Sequence, residues 1–309
     1  IIVYIITYFV KAVAMALRTV QGYNTLQEAQ RIDWVKRLAD LEDPEKVLST
    51  SFHLDKLHRL NLKQFVMTTG RKTPSDIYNA VIIATYNESR DVLEPTIQAV
   101  MDNEYDLKHL ILMIAYEERG GPDVEATAKA LQKQYQHHFK DMIIVKHPKD
   151  LPHEVPGKGA NITCAGFELQ KYIEKQKIDP DDVVVTTLDS DNRPHKSYFS
   201  YLTYEFLLHP DPRHAAFQPL TLFLNNIWDV PAPMRVVATG NSFWNIVNSL
   251  RPHMLRNFAS HSQSLAALID MGFWSTRTIV EDGHQFWRSC FRFDGNYAVV
   301  PLYIPIYQD

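Results

Sequence analysis

The chain has 309 residues, 45% of them hydrophobic and 22% charged, the proportions of a well-cored globular protein and not of a disordered one. A net charge of −4 leaves no basic surplus to hold nucleic acid. The two cysteines, Cys164 and Cys290, are far apart, lack metal-ligand spacing and read as buried thiols of a reduced compartment.

The opening run IIVYIITYFVKAVAMAL is apolar except for Thr7 and Lys11. It falls a little short of the roughly twenty residues of a full membrane span. Residues 1–17 read as the end of a transmembrane helix, in a membrane segment bounded at 1–20, with Lys11 and Arg18 toward the cytoplasmic side. A buried helix is the alternative. A signal peptide is disfavoured because the basic residues follow the apolar run. The chain starts on Ile and is expected to be cut at both ends.

Leu26, Ala29, Ile32, Val35, Leu38 and Leu41 recur at helical spacing and predict one amphipathic helix over 24–48, ending near Asp43-Pro44. The polar stretch from Leu48 to Asp76, with TTGRKTPSD, predicts a linker. Residues 21–78 thus form a juxtamembrane helical segment and linker before a domain at 79–309.

From residue 79 apolar, β-branched runs alternate with helical spacing: AVIIATY, HLILMIAYEE, MIIVKHP and DDVVVTTLDSD are the strands. Fully apolar strands separated by helices predict a parallel α/β sheet covered on both faces. Ligands bind such sheets beyond the C-terminal strand ends. Those ends carry Thr85, Tyr86, Asn87 and Glu88, then Glu117 and Glu118, then Asp189, Ser190 and Asp191. Two carboxylates two positions apart can reach one divalent ion, and oxygen ligands suit Mg²⁺ or Mn²⁺. Neither a dinucleotide fingerprint nor a phosphate-binding loop follows the first strand, so a metal is expected to hold a diphosphate in its place.

VIIATYNES, GKGANITCAG, DSD and IVEDGHQFWR follow the order found in membrane-associated family 2 glycosyltransferases of the GT-A fold, which this sequence resembles over roughly residues 79–309. The resemblance implies a nucleotide-sugar donor, UDP-linked, a glycan or lipid-linked acceptor, a membrane partner, and a catalytic domain on the cytoplasmic side. It places Thr85, Tyr86, Asn87 and Glu88 at the nucleotide, with Glu117 as the acid after the second strand and Glu118 as its alternate. Lys158 is carried over beside the diphosphate, where a helix start also favours anions. The motif's Leu is absent here and Asn161 comes early. Asp189 is implied for ribose or metal, and Asp191 for metal.

The same resemblance makes Asp282 the general base, with Glu281 beside it, although Val280 stands where the family has Thr. Asp is also a favoured helix cap, so Asp282 could equally cap a helix beginning at Gly283. STRTIV before it looks like a strand. Arg288 is implied to steady the donor's acidic cluster, and His261 and Ser262 to face the acceptor. Gln285-Phe-Trp-Arg288 mimics the Gln-x-x-Arg-Trp motif of processive synthases but lies too close to Asp282 and in the wrong order. Two other functions remain open: a sugar-nucleotide pyrophosphorylase, and a catalytically inactive glycan-binding subunit of a membrane synthase.

Overall fold

The computed structural model describes residues 1–51 and 53–309. The chain opens with helices α1 (Ile2–Arg31), α2 (Trp34–Ala39), α3 (Pro44–Thr50) and α4 (Lys56–Met67). The single helix expected over 24–48 is broken. Ile32 turns to extended backbone, and the Asp33 carboxylate accepts the Lys36 N–H to start α2. Asp43 and Asp55 do the same for α3 and α4, so most of the expected linker is helical.

These helices pack on the body of the protein. Trp34, Leu38, Leu41, Leu62 and Phe65 share one hydrophobic core with Val81, Ile83 and Leu112. The Trp34 ring stacks on Tyr201 at 3.7 Å, and its N–H donates to the Ala29 carbonyl. The first two turns of α1 are different, with Ile2 73% and Phe9 67% exposed. By length and composition α1 can cross a membrane.

Strand β1 (Tyr78–Thr85), helix α5 (Arg90–Met101), β2 (Leu110–Glu117), α6 (Pro122–Tyr135), β3 (Asp141–His147), α7 (Lys158–Gln176) and β4 (Val183–Asp189) follow the alternation read from the sequence. On β1 the side chains of Ala80, Ile82 and Ala84 enter one core, and Val81 and Ile83 the other. That alternation is why the strand is apolar throughout. Pro95 inside α5 costs about 3 kcal/mol. Burial of Leu93, Ile97 and Val100, at about 1.5–3 kcal/mol each, offsets it.

The remaining elements are β5 (Arg193–Pro194), α8 (Tyr198–Leu208), β6 (Ala215–Phe223), α9 (Ala232–Ser249), β7 (Ser262–Ser264), α10 (Leu265–Asp270), α11 (Glu281–Arg292) and β8 (Ala298–Gln308). STRTIV is not a strand. All strands join one eight-stranded sheet in the order β3-β2-β1-β4-β7-β6-β8-β5. The first four are parallel; β7 runs antiparallel to β4 and β6, while β8 is parallel to β6.

Candidate active site

Because β1, β2 and β4 are parallel, their C-terminal ends share one edge of the sheet, and α7 starts there too. A cavity of about 450 Å³ opens at that edge. Thr85, Tyr86 and Glu88 line it from the end of β1, Glu117 and Arg119 from the end of β2, Lys158 from α7, and Asp189 and Asp191 from β4. Gln308 reaches it from the end of β8.

The wall at β1 is held from within. One Glu88 oxygen accepts from the Thr85 hydroxyl (2.7 Å) and from the Tyr86 and Asn87 N–H groups (2.7 and 3.1 Å). Burial raises the Glu88 pKa, but these hydrogen bonds to its charged form outweigh burial and hold it below the usual carboxylate range. Arg119 donates to both Glu117 carboxylate oxygens, through Nε and Nη2, and lies over the Tyr86 ring at 4.5 Å. The chain after β2 passes so close that a Cβ at Gly120 would stand 1.7 Å from the Tyr86 carbonyl oxygen. Only glycine fits there. Glu118 turns away to Lys146 and the Lys149 N–H, so Glu117 is the acid that faces the cavity.

Lys158 is the first residue of α7, and its ammonium meets Asp189 Oδ1 at 2.6 Å. Burial lowers the Lys158 pKa, but Asp189, Glu281 and Asp282 raise it above the ordinary lysine value. Asp191 is the less compensated acid. Burial first, then the negative charges of Asp189 and Asp309, push its pKa up, against an Asp309 N–H donated at 3.1 Å. A carboxylate held in this way fits a hard divalent cation. Among the described residues no three His, Cys, Asp or Glu side chains form a ready cage.

The acidic pair of α11 lies next to this group. A Cβ at Gly159 would stand 3.0 Å from Glu281 Cβ and 2.5 Å from the Ser275 carbonyl, so α7 and the start of α11 touch through that glycine. Glu281 is 7% exposed, and burial raises its pKa despite Lys158. Asp282 accepts the Ala259 N–H on Oδ2 (2.7 Å) and the Gly283 N–H on Oδ1 (2.6 Å). The helix begins at Glu281 with Val280 before it, so Asp282 lies inside the first turn and is not the cap.

No family model and no curated protein matches the sequence. The structure is similar to that of a mannosyltransferase from Pyrobaculum calidifontis in complex with GDP-Man and Mn²⁺, at 13% identity and a TM-score of 0.50, over 89% of this chain and 68% of that one. Glucosyl-3-phosphoglycerate synthase from Mycobacterium tuberculosis, in complex with Mn²⁺, UDP and phosphoglyceric acid, aligns at 17% identity and a TM-score of 0.45, over 81% and 74% of the two chains. The fold is GT-A.

Within the GT-A frame several expected residues are displaced from the chemistry. Ser262 is fully buried on β7, bonded to the Thr186 and Tyr198 hydroxyls, and cannot meet an acceptor. His261 is 2% exposed beneath Asp282, and burial pushes its pKa down to about 4. It is a neutral ring in the core, not an acceptor contact. Arg288 donates to the Met271 and Phe273 carbonyls and to Gln285, which fastens the loop before α11, and it is outside the cavity lining. Asn87 is exposed and outside the cavity lining. Asn161, by contrast, lines the cavity and donates to the Thr85 and Ala115 carbonyls, tying β1 to β2. Cys164 and Cys290 are half-buried free thiols.

The sequence reading missed Arg119 and Gln308. Arg119 stands two residues beyond Glu117, which was the available hint. Nothing local marks Gln308, which β8 brings back from the far end of the chain.

Proposed function

We propose that the protein is an inverting, metal-dependent glycosyltransferase. It moves a sugar from a nucleotide-diphosphate donor, UDP-linked, to a glycan or lipid-linked acceptor at the cytoplasmic face of a membrane. Residues 79–309 form the catalytic domain, residues 1–20 the membrane segment, and residues 21–78 the juxtamembrane part. The carrying observation is that Lys158 bonds Asp189 at the cavity while Glu281 and Asp282 add to the same electrostatic cluster. The similar mannosyltransferase is complexed with a sugar nucleotide and Mn²⁺, which supports the same class of ligand here.

Asp189 and Asp191 would hold Mn²⁺ or Mg²⁺, which when bound offsets charge developing on the leaving diphosphate. Tyr86, Arg119 and Glu117 form the wall for the nucleoside. Lys158 adds positive charge at a helix start, where anions are favoured. Asp282 takes the proton of the acceptor hydroxyl while that oxygen attacks the anomeric carbon. The bond from this carbon to the diphosphate oxygen breaks on the opposite face, so the configuration inverts. The two N–H groups on Asp282 aim its carboxylate and leave lone pairs for the proton.

The test is UDP release by the detergent-solubilised chain from UDP-glucose, UDP-N-acetylglucosamine and UDP-galactose, with Mn²⁺ or with chelator. Mn²⁺-dependent release from at least one donor is expected. No release from any of them, together with equal UDP affinity in Mn²⁺ and in chelator, would overturn the reading.

A further inference from the structure

On α9, Asn241, Asn245 and Asn248 are spaced by four and three residues and so fall on one stripe of the helix. That stripe faces a second cavity, of about 410 Å³, between α9, β6 and the turn before β7. Its size is that of a small-molecule site, about 300–1,000 Å³. Trp244 lines it with 54% of its surface exposed, as does Asn257, which is only 3% exposed. Beyond a loose approach to the Tyr297 hydroxyl, neither polar atom of the Asn257 side chain has a hydrogen-bond partner among the described residues. A buried carboxamide left in this state costs free energy, and a ligand that satisfies it recovers that cost. Asn241 and Asn248 make no side-chain hydrogen bond among the described residues, whereas Asn245 uses its amide nitrogen on the Thr221 carbonyl at 3.0 Å.

We propose that this cavity is a subsite for the acceptor and that the acceptor is a saccharide. The inference rests on the glycosyltransferase reading and names its acceptor class. Each carboxamide offers a donor and an acceptor together, which is what a sugar hydroxyl needs, and an indole face suits the C–H face of a pyranose ring. No carboxylate lines the cavity among the described residues, so it does not suit a cation. The row of amides equally penalises an acyl chain, which cannot satisfy them.

Position supports the assignment. Arg256 lines this cavity and also the hollow formed by Val280, Gly283 and Trp287 at the start of α11. Asp282 lies between Val280 and Gly283 in sequence. A saccharide chain seated on α9 would pass Arg256 to reach the first turn of α11, the turn that carries Asp282.

The experiment is binding of the detergent-solubilised chain, loaded with Mn²⁺ and UDP, to an array of immobilised oligosaccharides that includes neutral, N-acetylated and uronic-acid members. The wild type is expected to bind a subset. Trp244→Ala, Asn248→Leu and the exposed-site variant Asn241→Leu should each weaken that binding at least fivefold with UDP affinity unchanged by calorimetry. No saccharide bound while UDP still binds would overturn the subsite and leave the donor reading standing. Saccharide binding unaltered in all three variants would also overturn it. Loss of Mn²⁺-dependent UDP binding by the wild type would instead sink the glycosyltransferase reading, and the subsite with it.

Discussion

Ala259 donates its backbone N–H to Asp282 Oδ2 at 2.7 Å, from a backbone turned to a φ of 45°. An alanine in the left-handed region costs roughly 1–2 kcal/mol, so its neighbours must hold it there. The Ser260 hydroxyl bonds Asn192, and the Ser260 carbonyl accepts from Gln218 at 3.1 Å. The His261 carbonyl accepts the Thr187 N–H at 3.2 Å. With its oxygen toward the Asp189 N–H, the Asn192 amide donates to Asp191 Oδ1 at 3.0 Å. The turn bearing the Asp-x-Asp pair and the carboxylate of Asp282 are thereby joined through residues 259–261.

Loosening that bridge should disturb the base more than the donor. In Ser260→Ala the oxygen of Asn192 loses a partner, at a cost of about 1–3 kcal/mol. Sugar transfer is expected to fall about tenfold in kcat, with KM for the donor changed less than threefold. A rise in donor KM with kcat intact would mean that the bridge serves the metal turn alone.

Among the described residues Asp191 has no basic partner, in contrast to Asp189, which has Lys158. Asp191→Asn should weaken Mn²⁺-dependent UDP binding at least tenfold, about 1.4 kcal/mol. Calorimetry with and without chelator measures it. In chelator the variant and the wild type should bind UDP alike.

Arg119 lies over Tyr86 while it neutralises Glu117, which is 4% exposed. Arg119→Lys keeps the charge but loses the planar stack, worth about 0.5–1 kcal/mol. UDP affinity should drop about two- to fivefold in a calorimetric titration, with the thermal transition little changed.

His261 makes part of the stability pH-dependent. Its folded pKa of about 4 lies below the ordinary histidine value, chiefly through burial. Between those values the unfolded chain carries a proton that the folded chain does not. The contribution is therefore complete above pH about 6.5 and fades as pH falls toward 4. Glu205, pushed up by burial to about 7, acts with the opposite sign, so the wild type alone does not isolate the histidine. Between pH 7.5 and pH 5 the wild type should lose about 2 kcal/mol more than His261→Asn in urea unfolding. Equal losses would mean that the ring is already charged in the fold.

Local pattern carried the first half of the sheet because β1, β2 and β4 are buried on both faces, β3 is a half-buried edge strand, and each is separated from the next by a helix. The break at Ile32 was hidden because Leu26 to Leu41 keep helical spacing straight through it, and the Asp33 cap is a single residue within that pattern. The second half of the sheet depends on distant partners: Ala215 of β6 pairs with Ala298 of β8, and no short window holds both. The acids that line the cavity, Glu88, Glu117, Asp189 and Asp191, were legible for the same local reason, since they stand at or just past strand ends. Ser262 and Arg288 were misassigned because a polar side chain in sequence does not say whether a hydroxyl or a carbonyl already occupies it.

The central claim is that Asp282 is the base of a sugar transfer at this edge. Asp282→Asn keeps the side chain's size and one oxygen for the Ala259 or Gly283 N–H while removing the basic carboxylate. The decisive measurement is the transfer rate of Asp282→Asn beside its Mn²⁺-dependent UDP affinity, with Glu281→Gln for comparison. Transfer should slow at least a hundredfold, within the about 10²–10⁴ range of general-base catalysis. UDP affinity and the thermal transition should stay within a few-fold and a few degrees of wild type, and Glu281→Gln should lose less. An Asp282→Asn protein that transfers sugar within a few-fold of wild type would contradict the assignment and leave Asp282 as a brace for the Ala259 turn.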